Sequence, residues 1–145
     1  MPPQVKKVID ELYKLNPITY CNSKAAMIRI VLELTLKYIV EETKYDGKHT
    51  MNKSPYFQNV FPPQSGTYTN ATLLKKHFTD LIKNIGIKKT IKNLDLDKLS
   101  QTIHNYHMGI IPSDITQLCN NLIDVLEFIL DDELELLKNL DISKL

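Results

Sequence analysis

A long helical segment that is rich in apolar residues, residues 23–43, constrains the fold of this chain more than any other feature. Its apolar residues cover most of the circumference of an α-helix, a pattern typical of a helix surrounded by others. The polar exceptions Arg29, Glu33 and Lys37 are spaced by four residues, so they form one stripe along the helix. We therefore expect this helix to lie at the centre of an all-α bundle.

Amphipathic segments on both sides of this helix carry the same period. They predict further helices over residues 3–15, 70–85, 95–106 and 113–138. Asn16-Pro17 is expected to end the first of these, and Gly86 to cap the third before a short connector. No segment shows the alternation of a strand. The chain is thus predicted to be an all-α, single-domain bundle of about five helices over residues 1–145.

A long irregular loop, residues 44–69, is predicted between the second and third helices. The residues that break helices in it are Gly47, Pro55, Pro62, Pro63 and Gly66. Aromatic residues recur along it at Tyr56, Phe57, Phe61 and Tyr68. Loops of this length in compact domains are often functional. The aromatic residues indicate that this one packs onto the helices.

The composition excludes several classes of function. A net charge of +1 gives no global attraction to nucleic acid or to an anionic membrane. Charged residues interrupt the longest apolar run and the N-terminus lacks an apolar core, so neither a transmembrane segment nor a signal peptide is expected. Cys21 and Cys119 lie far apart, and two free thiols fit a cytoplasmic location. Neither a glycine-rich phosphate loop nor a zinc-ligand spacing is present, so no cofactor and no metal are expected.

The candidate site with the most chemistry is a cluster of polar residues at the end of the predicted fourth helix. His104, Asn105, Tyr106 and His107 are consecutive there, and Gly109 and Pro112 then turn the chain. Imidazoles at a helix end suit proton transfer or phosphate contact. The plainer interpretation is that these residues tie the helix end to the turn. A metal site is disfavoured, because no carboxylate or cysteine stands nearby to complete it.

Two further groups of charged residues have both a structural and a functional interpretation. The stripe on the central helix is expected to be solvated, with Glu33 and Lys37 as a surface pair; alternatively, Arg29 and Glu33 line a cleft facing the histidine turn. A set of lysines in the third helix and its connector comprises Lys75, Lys76, Lys83, Lys88, Lys89 and Lys92. These could follow a phosphate backbone. Because arginine and interleaved aromatics are lacking, a solvated face is favoured.

The C-terminal half resembles the HEPN-type helical domains of prokaryotes. In that family a long helix is paired with one that ends in an R-x(4–6)-H signature, then a turn and a last long helix follow. His107-Met108-Gly109 followed by the helix from Asp114 is similar to this arrangement. The N-terminal half, with Tyr20-Cys21-Asn22 before Ile28-Arg29, resembles a helical segment found after ParB-like or other nuclease domains in bacterial and phage-defence proteins.

The resemblance implies a specific chemistry. In active members the signature arginine and histidine, contributed by two protomers, cleave RNA without a metal ion. His107 matches the signature histidine, but Ser100, Gln101 and Thr102 occupy the positions where the arginine belongs. Arg29 would have to replace it. Loss of one charge-stabilising donor lowers the rate on the order of a hundred- to a thousand-fold, so binding is expected rather than efficient catalysis.

These observations give one main expectation and two alternatives. The chain is expected to be a HEPN-like binding and dimerisation module, an accessory domain of a defence or nucleic-acid-processing system. The resemblance further implies a homodimer and an adjoining nuclease or ParB-like domain in a longer chain. The first alternative is a metal-independent endoribonuclease with His107, Arg29 and Asn105 as catalytic residues; the RNA contacts would be His104, Gln101 and Lys37. The second is a purely structural protein-interaction domain.

Overall fold

The computed structural model describes residues 1–61, 70–94 and 112–145. Within these ranges the chain is all-α, with six α-helices, two short 3₁₀ turns and no strand. The α-helices are α1 (Pro3–Lys14), α2 (Cys21–Glu42), α3 (Ala71–Leu81), α4 (Ile85–Asn93), α5 (Pro112–Ile129) and α6 (Glu133–Lys138). The 3₁₀ turns are Met51–Lys53 and Ile142–Lys144. The predicted fold class is confirmed, and no helix described here is long and apolar enough to cross a membrane.

Helix α2 is the centre of the bundle, as its apolar circumference predicts. It packs against α1, α3 and α5 and against the Met51–Lys53 turn. Its buried apolar side chains are Ala25, Ile28, Val31, Leu32, Leu36, Ile39 and Val40. Because neighbours cover it on several sides, burial of α2 supplies much of the hydrophobic stabilisation of the fold.

The connection between α1 and α2 is held by two polar side chains. Asn16 Oδ1 accepts hydrogen bonds from the backbone N–H groups of Ile18 at 2.8 Å and Thr19 at 3.2 Å. This is the turn that Asn16-Pro17 predicts. Lys24, only 7% exposed, donates from Nζ to the carbonyl oxygen of Leu15 at 2.9 Å. Because Leu15 is the C-cap of α1, the ammonium group satisfies a carbonyl at the negative end of that helix.

The described part of the long loop, residues 44–61, packs onto the helices as its aromatic residues predict. Met51, Phe57 and Val60 are buried in the main hydrophobic core. Tyr56 donates from its hydroxyl group to the carbonyl oxygen of His77 in α3 at 2.8 Å. The loop is therefore part of the core, and residues 62–69 lie outside the described part.

The predicted C-terminal end of the third helix is wrong. It was expected to reach residue 85, but α3 ends at Leu81, and Ile82 forms an antiparallel bridge with Leu140. Asn84 then caps a new helix by accepting the N–H of Ile87 at 3.1 Å. Gly86 consequently lies in the first turn of α4 and is not a C-cap. A tertiary contact ends α3 here, and the local asparagine cap starts the next helix.

The predicted last helix is two helices in the structure. It was expected to run to residue 138, but α5 ends at Ile129 and α6 begins at Glu133. Asp132 starts α6 by accepting the N–H of Leu134 at 3.0 Å. The predicted helix over residues 95–106 falls outside the described residues. Four of the five predicted helices fall in the described ranges; α4, which forms in the predicted connector, and the division of the last helix bring the number described to six.

Gly47 is expected to tolerate alanine poorly. Its φ is +81°, in a turn where Asp46 Oδ1 accepts the N–H groups of Lys48 and His49. These hydrogen bonds hold the pKa of the Asp46 carboxyl group well below its usual range. Gly47→Ala should lower the free energy of unfolding by about 1–2 kcal/mol through backbone strain alone, since a Cβ there meets nothing within 4 Å.

Urea unfolding measures this change, and Gly86→Ala is the matched control. Gly86 lies in a helix without a positive φ; a Cβ there would come within 3.3 Å of Asn84 Oδ1, and a shift of a few tenths of an ångström by that exposed side chain relieves the contact, so its replacement should be less costly than that of Gly47. Equal costs at the two positions would contradict the strain explanation.

Candidate functional site

Helices α3 and α4 carry a concentration of positive charge. Residues 70–94 contain six lysines and one acidic residue, Asp80, an excess of five positive charges in a chain whose net charge is only +1. The remainder of the chain is therefore net negative. An anionic ligand would be attracted to this helix pair and not to the molecule as a whole.

A cavity of about 180 Å³ opens between α3 and α4, and we call it the basic cleft. The residues that line it are Thr72, Lys75, Lys76, Thr79, Asp80 and Lys92. Three lysines and one aspartate give its lining residues a net positive charge, while most of the surface that lines the cavity is apolar. Folding thus brings Lys76 and Lys92, from two different helices, to one opening.

The three lysines of the basic cleft differ in how they are held. Lys75 Nζ donates to the carbonyl oxygen of Leu94, the C-cap residue of α4, so its ammonium group stabilises the end of that helix. Lys76 and Lys92 are exposed, and neither makes a hydrogen bond or ion pair within the described ranges. Lys76 and Lys92 are therefore the side chains of the cleft that can bind an anion.

The stripe on α2 differs from the solvated surface pair that its spacing predicts. Arg29, Glu33 and Lys37 are all half-buried, and no ion pair joins them among the described residues. Arg29 Nε is buried and has no hydrogen-bond partner there. A buried guanidinium N–H group without a partner is destabilising, so this position favours an acceptor such as a phosphate or carboxylate oxygen.

The other predicted site residues lie outside the described part of the chain. These are Gln101, His104, Asn105 and His107. Their suggested pairing with Arg29 stays a prediction. Arg29 and Lys37 are eight residues apart on α2, which separates them by about 12 Å along the helix axis.

The cysteines give no sign of a nucleophile. Cys119 is buried, and burial raises the pKa of its thiol while the ammonium group of Lys24 opposes that shift. The Tyr13 hydroxyl donates to the Cys119 carbonyl oxygen at 3.2 Å, which ties α1 to α5. Cys119 thus belongs to the main hydrophobic core. Over the described ranges, no three His, Cys, Asp or Glu side chains are grouped to hold a metal ion.

Comparisons with models of known protein families, with curated proteins and with solved structures find no match to this chain. The resemblance to HEPN-type domains therefore stays a prediction. Two features of the described residues bear on function, the basic cleft and Arg29.

Proposed function

We propose that this protein is a helical nucleic-acid-binding module that contacts the phosphate backbone through the basic cleft. The observation that carries this proposal is the convergence of Lys76 and Lys92, both exposed and unpaired within the described ranges, on one opening. We further propose, from the HEPN resemblance, that the module is an accessory domain in a defence or nucleic-acid-processing system.

Lysine is suited to this role because its ammonium group binds phosphate as a point charge without reading bases. The aromatic side chains near α3 are already engaged. Phe78 is fully buried, and the Tyr56 hydroxyl is bonded to His77. Within the described residues, the cleft thus offers phosphate contacts and no base-stacking surface, so binding should be independent of sequence and strongly dependent on salt.

Reversing the charge of Lys76 and Lys92 tests the proposal. Fluorescence anisotropy with labelled single-stranded and duplex RNA should show at least about tenfold weaker binding for Lys76→Glu/Lys92→Glu. The slope of log K against log salt concentration should become shallower by the equivalent of about two phosphate contacts. The control is Lys6→Glu/Lys7→Glu, which makes the same charge change on exposed positions of α1.

Three results of this experiment can be distinguished. A loss confined to the cleft variant supports the basic cleft as the binding site. An equal loss in both variants would mean that net charge, and not the cleft, governs binding. If the wild type binds neither RNA even at low ionic strength, the proposal fails and the remaining function is a purely structural interaction domain.

A second candidate function is favoured by Arg29. Its Nε is buried and has no hydrogen-bond partner in the described part, so the guanidinium group is not committed there to an ion pair of the fold, and a phosphate would be bound by its terminal nitrogens. We therefore also propose the metal-independent endoribonuclease in which His107 moves the proton and Arg29 stabilises the charge on the phosphate. Asn105 would assist, with His104, Gln101 and Lys37 contacting the RNA.

Cleavage of single-stranded RNA in the presence of EDTA tests this second candidate. His107→Ala should abolish the activity. Arg29→Lys should lower it strongly because lysine keeps the charge but not the planar fork. Circular dichroism of both variants checks that the fold is retained. Wild-type protein without any EDTA-resistant cleavage would eliminate the endoribonuclease.

A further inference from the structure

A groove with about equal polar and apolar lining, which we call the apolar groove after its hydrophobic residues, lies in an acidic part of the molecule. It is a cavity of about 240 Å³ where the end of α2 meets the junction of α5 and α6. Its apolar lining comes from Met1, Tyr38, Ile39, Leu130 and Leu136. Such a groove would accept an aliphatic side chain from a partner.

Carboxylates surround this groove. Glu42, Asp131 and Glu133 line it, and no lysine or arginine does so among the described residues. Glu133 Oε1 accepts one hydrogen bond, from the backbone N–H of Lys44 at 3.1 Å. The surrounding segment, residues 124–141, holds seven acidic residues and one lysine. An occupant that carries positive charge next to an apolar side chain would therefore match the groove.

The same chain presents a surface of that chemistry. Ile85, the first residue of α4, is 82% exposed, more than any other large hydrophobic side chain in the described ranges. Three lysines, Lys83, Lys88 and Lys89, lie within four residues of it. An isoleucine surrounded by ammonium groups is the complement of an apolar groove surrounded by carboxylates.

Backbone contacts connect the segment before α4 to the chain that follows α6. Ile82 forms its bridge with Leu140, and the N–H of Lys83 donates to the carbonyl oxygen of Asn139 at 3.0 Å. The start of α4 is therefore next to the chain that follows α6. Two copies facing each other can each insert Ile85 into the other's groove. Both surfaces of each copy are then occupied, so the assembly ends as a dimer.

We propose that this chain forms a two-fold dimer in which Ile85 of each copy occupies the apolar groove of the other. The flanking lysines face the carboxylates of that groove. The dimer contact uses Ile85 and its neighbours, whereas the proposed nucleic-acid contact uses Lys76 and Lys92. Each proposal can therefore be tested independently of the other. Apolar burial provides the affinity, and the charges provide orientation and a dependence on salt.

Sedimentation of the full chain over a concentration series tests the dimer. Ile85→Ser should weaken dimerisation on the order of a hundred-fold, because two isoleucine side chains lose their burial. The matched control is Ile18→Ser, since Ile18 is 77% exposed in the α1–α2 connection, away from both surfaces. Added salt should also weaken the wild-type dimer.

A charge exchange provides the second test. Asp131→Lys and Lys89→Glu should each weaken self-association, because each homodimer then holds two mismatched contacts. An equimolar mixture should restore the dimer, since one contact pairs the two introduced charges and the other is wild type. A monomer at every concentration overturns the proposal. So does a dimer with the same affinity in Ile85→Ser, or a mixture that does not restore association.

Discussion

Phe57→Ala is expected to lower the free energy of unfolding by about 3–5 kcal/mol. The Phe57 side chain is 0% exposed and belongs to the main hydrophobic core, although it comes from a loop. Its ring lies 5.1 Å from that of Tyr56 and 6.4 Å from that of Phe61, both in edge-on arrangements. Truncation would leave a cavity between the loop and α3 and remove these ring contacts.

Urea denaturation followed by circular dichroism measures the loss, and Phe61→Ala is the control. Phe61 is half-buried and packs at the margin of the core, so its replacement should cost clearly less. A change below about 1 kcal/mol for Phe57→Ala would mean that the loop does not contribute to the cooperative core, because buried phenylalanines are rarely so dispensable.

Lys24→Ala is expected to lower the free energy of unfolding by about 2–3 kcal/mol. Lys24 Nζ donates to the Leu15 carbonyl oxygen at 2.9 Å inside the bundle. Alanine removes this charge-assisted hydrogen bond, leaves the last carbonyl of α1 without its partner, and takes away a buried aliphatic stem. The loss should therefore loosen the joint between α1 and α2.

Lys24→Met separates the contribution of the hydrogen bond from that of the buried aliphatic stem, because methionine keeps an unbranched apolar stem but cannot donate a hydrogen bond. It should cost about 1 kcal/mol, less than alanine, since it also avoids burying an ammonium group. Thermal and urea unfolding of both variants give the comparison. If the alanine variant is as stable as the wild type, the ammonium group is not a helix cap in solution.

Local patterns were sufficient to predict the elements whose cause is local. The density of apolar residues places α2 at the centre, and Asn16 forms the predicted turn after α1. The aromatic residues of the loop were correctly expected to pack onto the helices. In each case the residues that determine the structure lie within the segment itself.

The boundary between α3 and α4 could not be found in this way. Helical periodicity continues through it, and the break depends on the pairing of Ile82 with Leu140, fifty-eight positions away in the sequence. The asparagine cap at Asn84 was the one local signal for the start of α4. The predicted C-cap at Gly86 takes no account of this signal.

The basic cleft was missed for the same reason. The sequence identifies its lysines as a set, but the lack of arginine and of interleaved aromatic residues favours a solvated face. The packing of α4 against α3 places Lys92 in the same lining as Lys75 and Lys76, and it engages Lys75 at the end of α4. The part of the candidate site around His107 stays a prediction from the sequence.

The sequence by itself determined the all-α class, the central helix and the absence of strand periodicity, because these depend on hydrophobic spacing within single segments. Only the tertiary structure decided which charged side chains share a surface. Lys24 became a buried helix cap and Arg29 Nε was left without a partner, while Ile85 was left exposed next to lysines. The physical reason is that burial and pairing are set by neighbours from other helices, and residue spacing along one helix does not specify them.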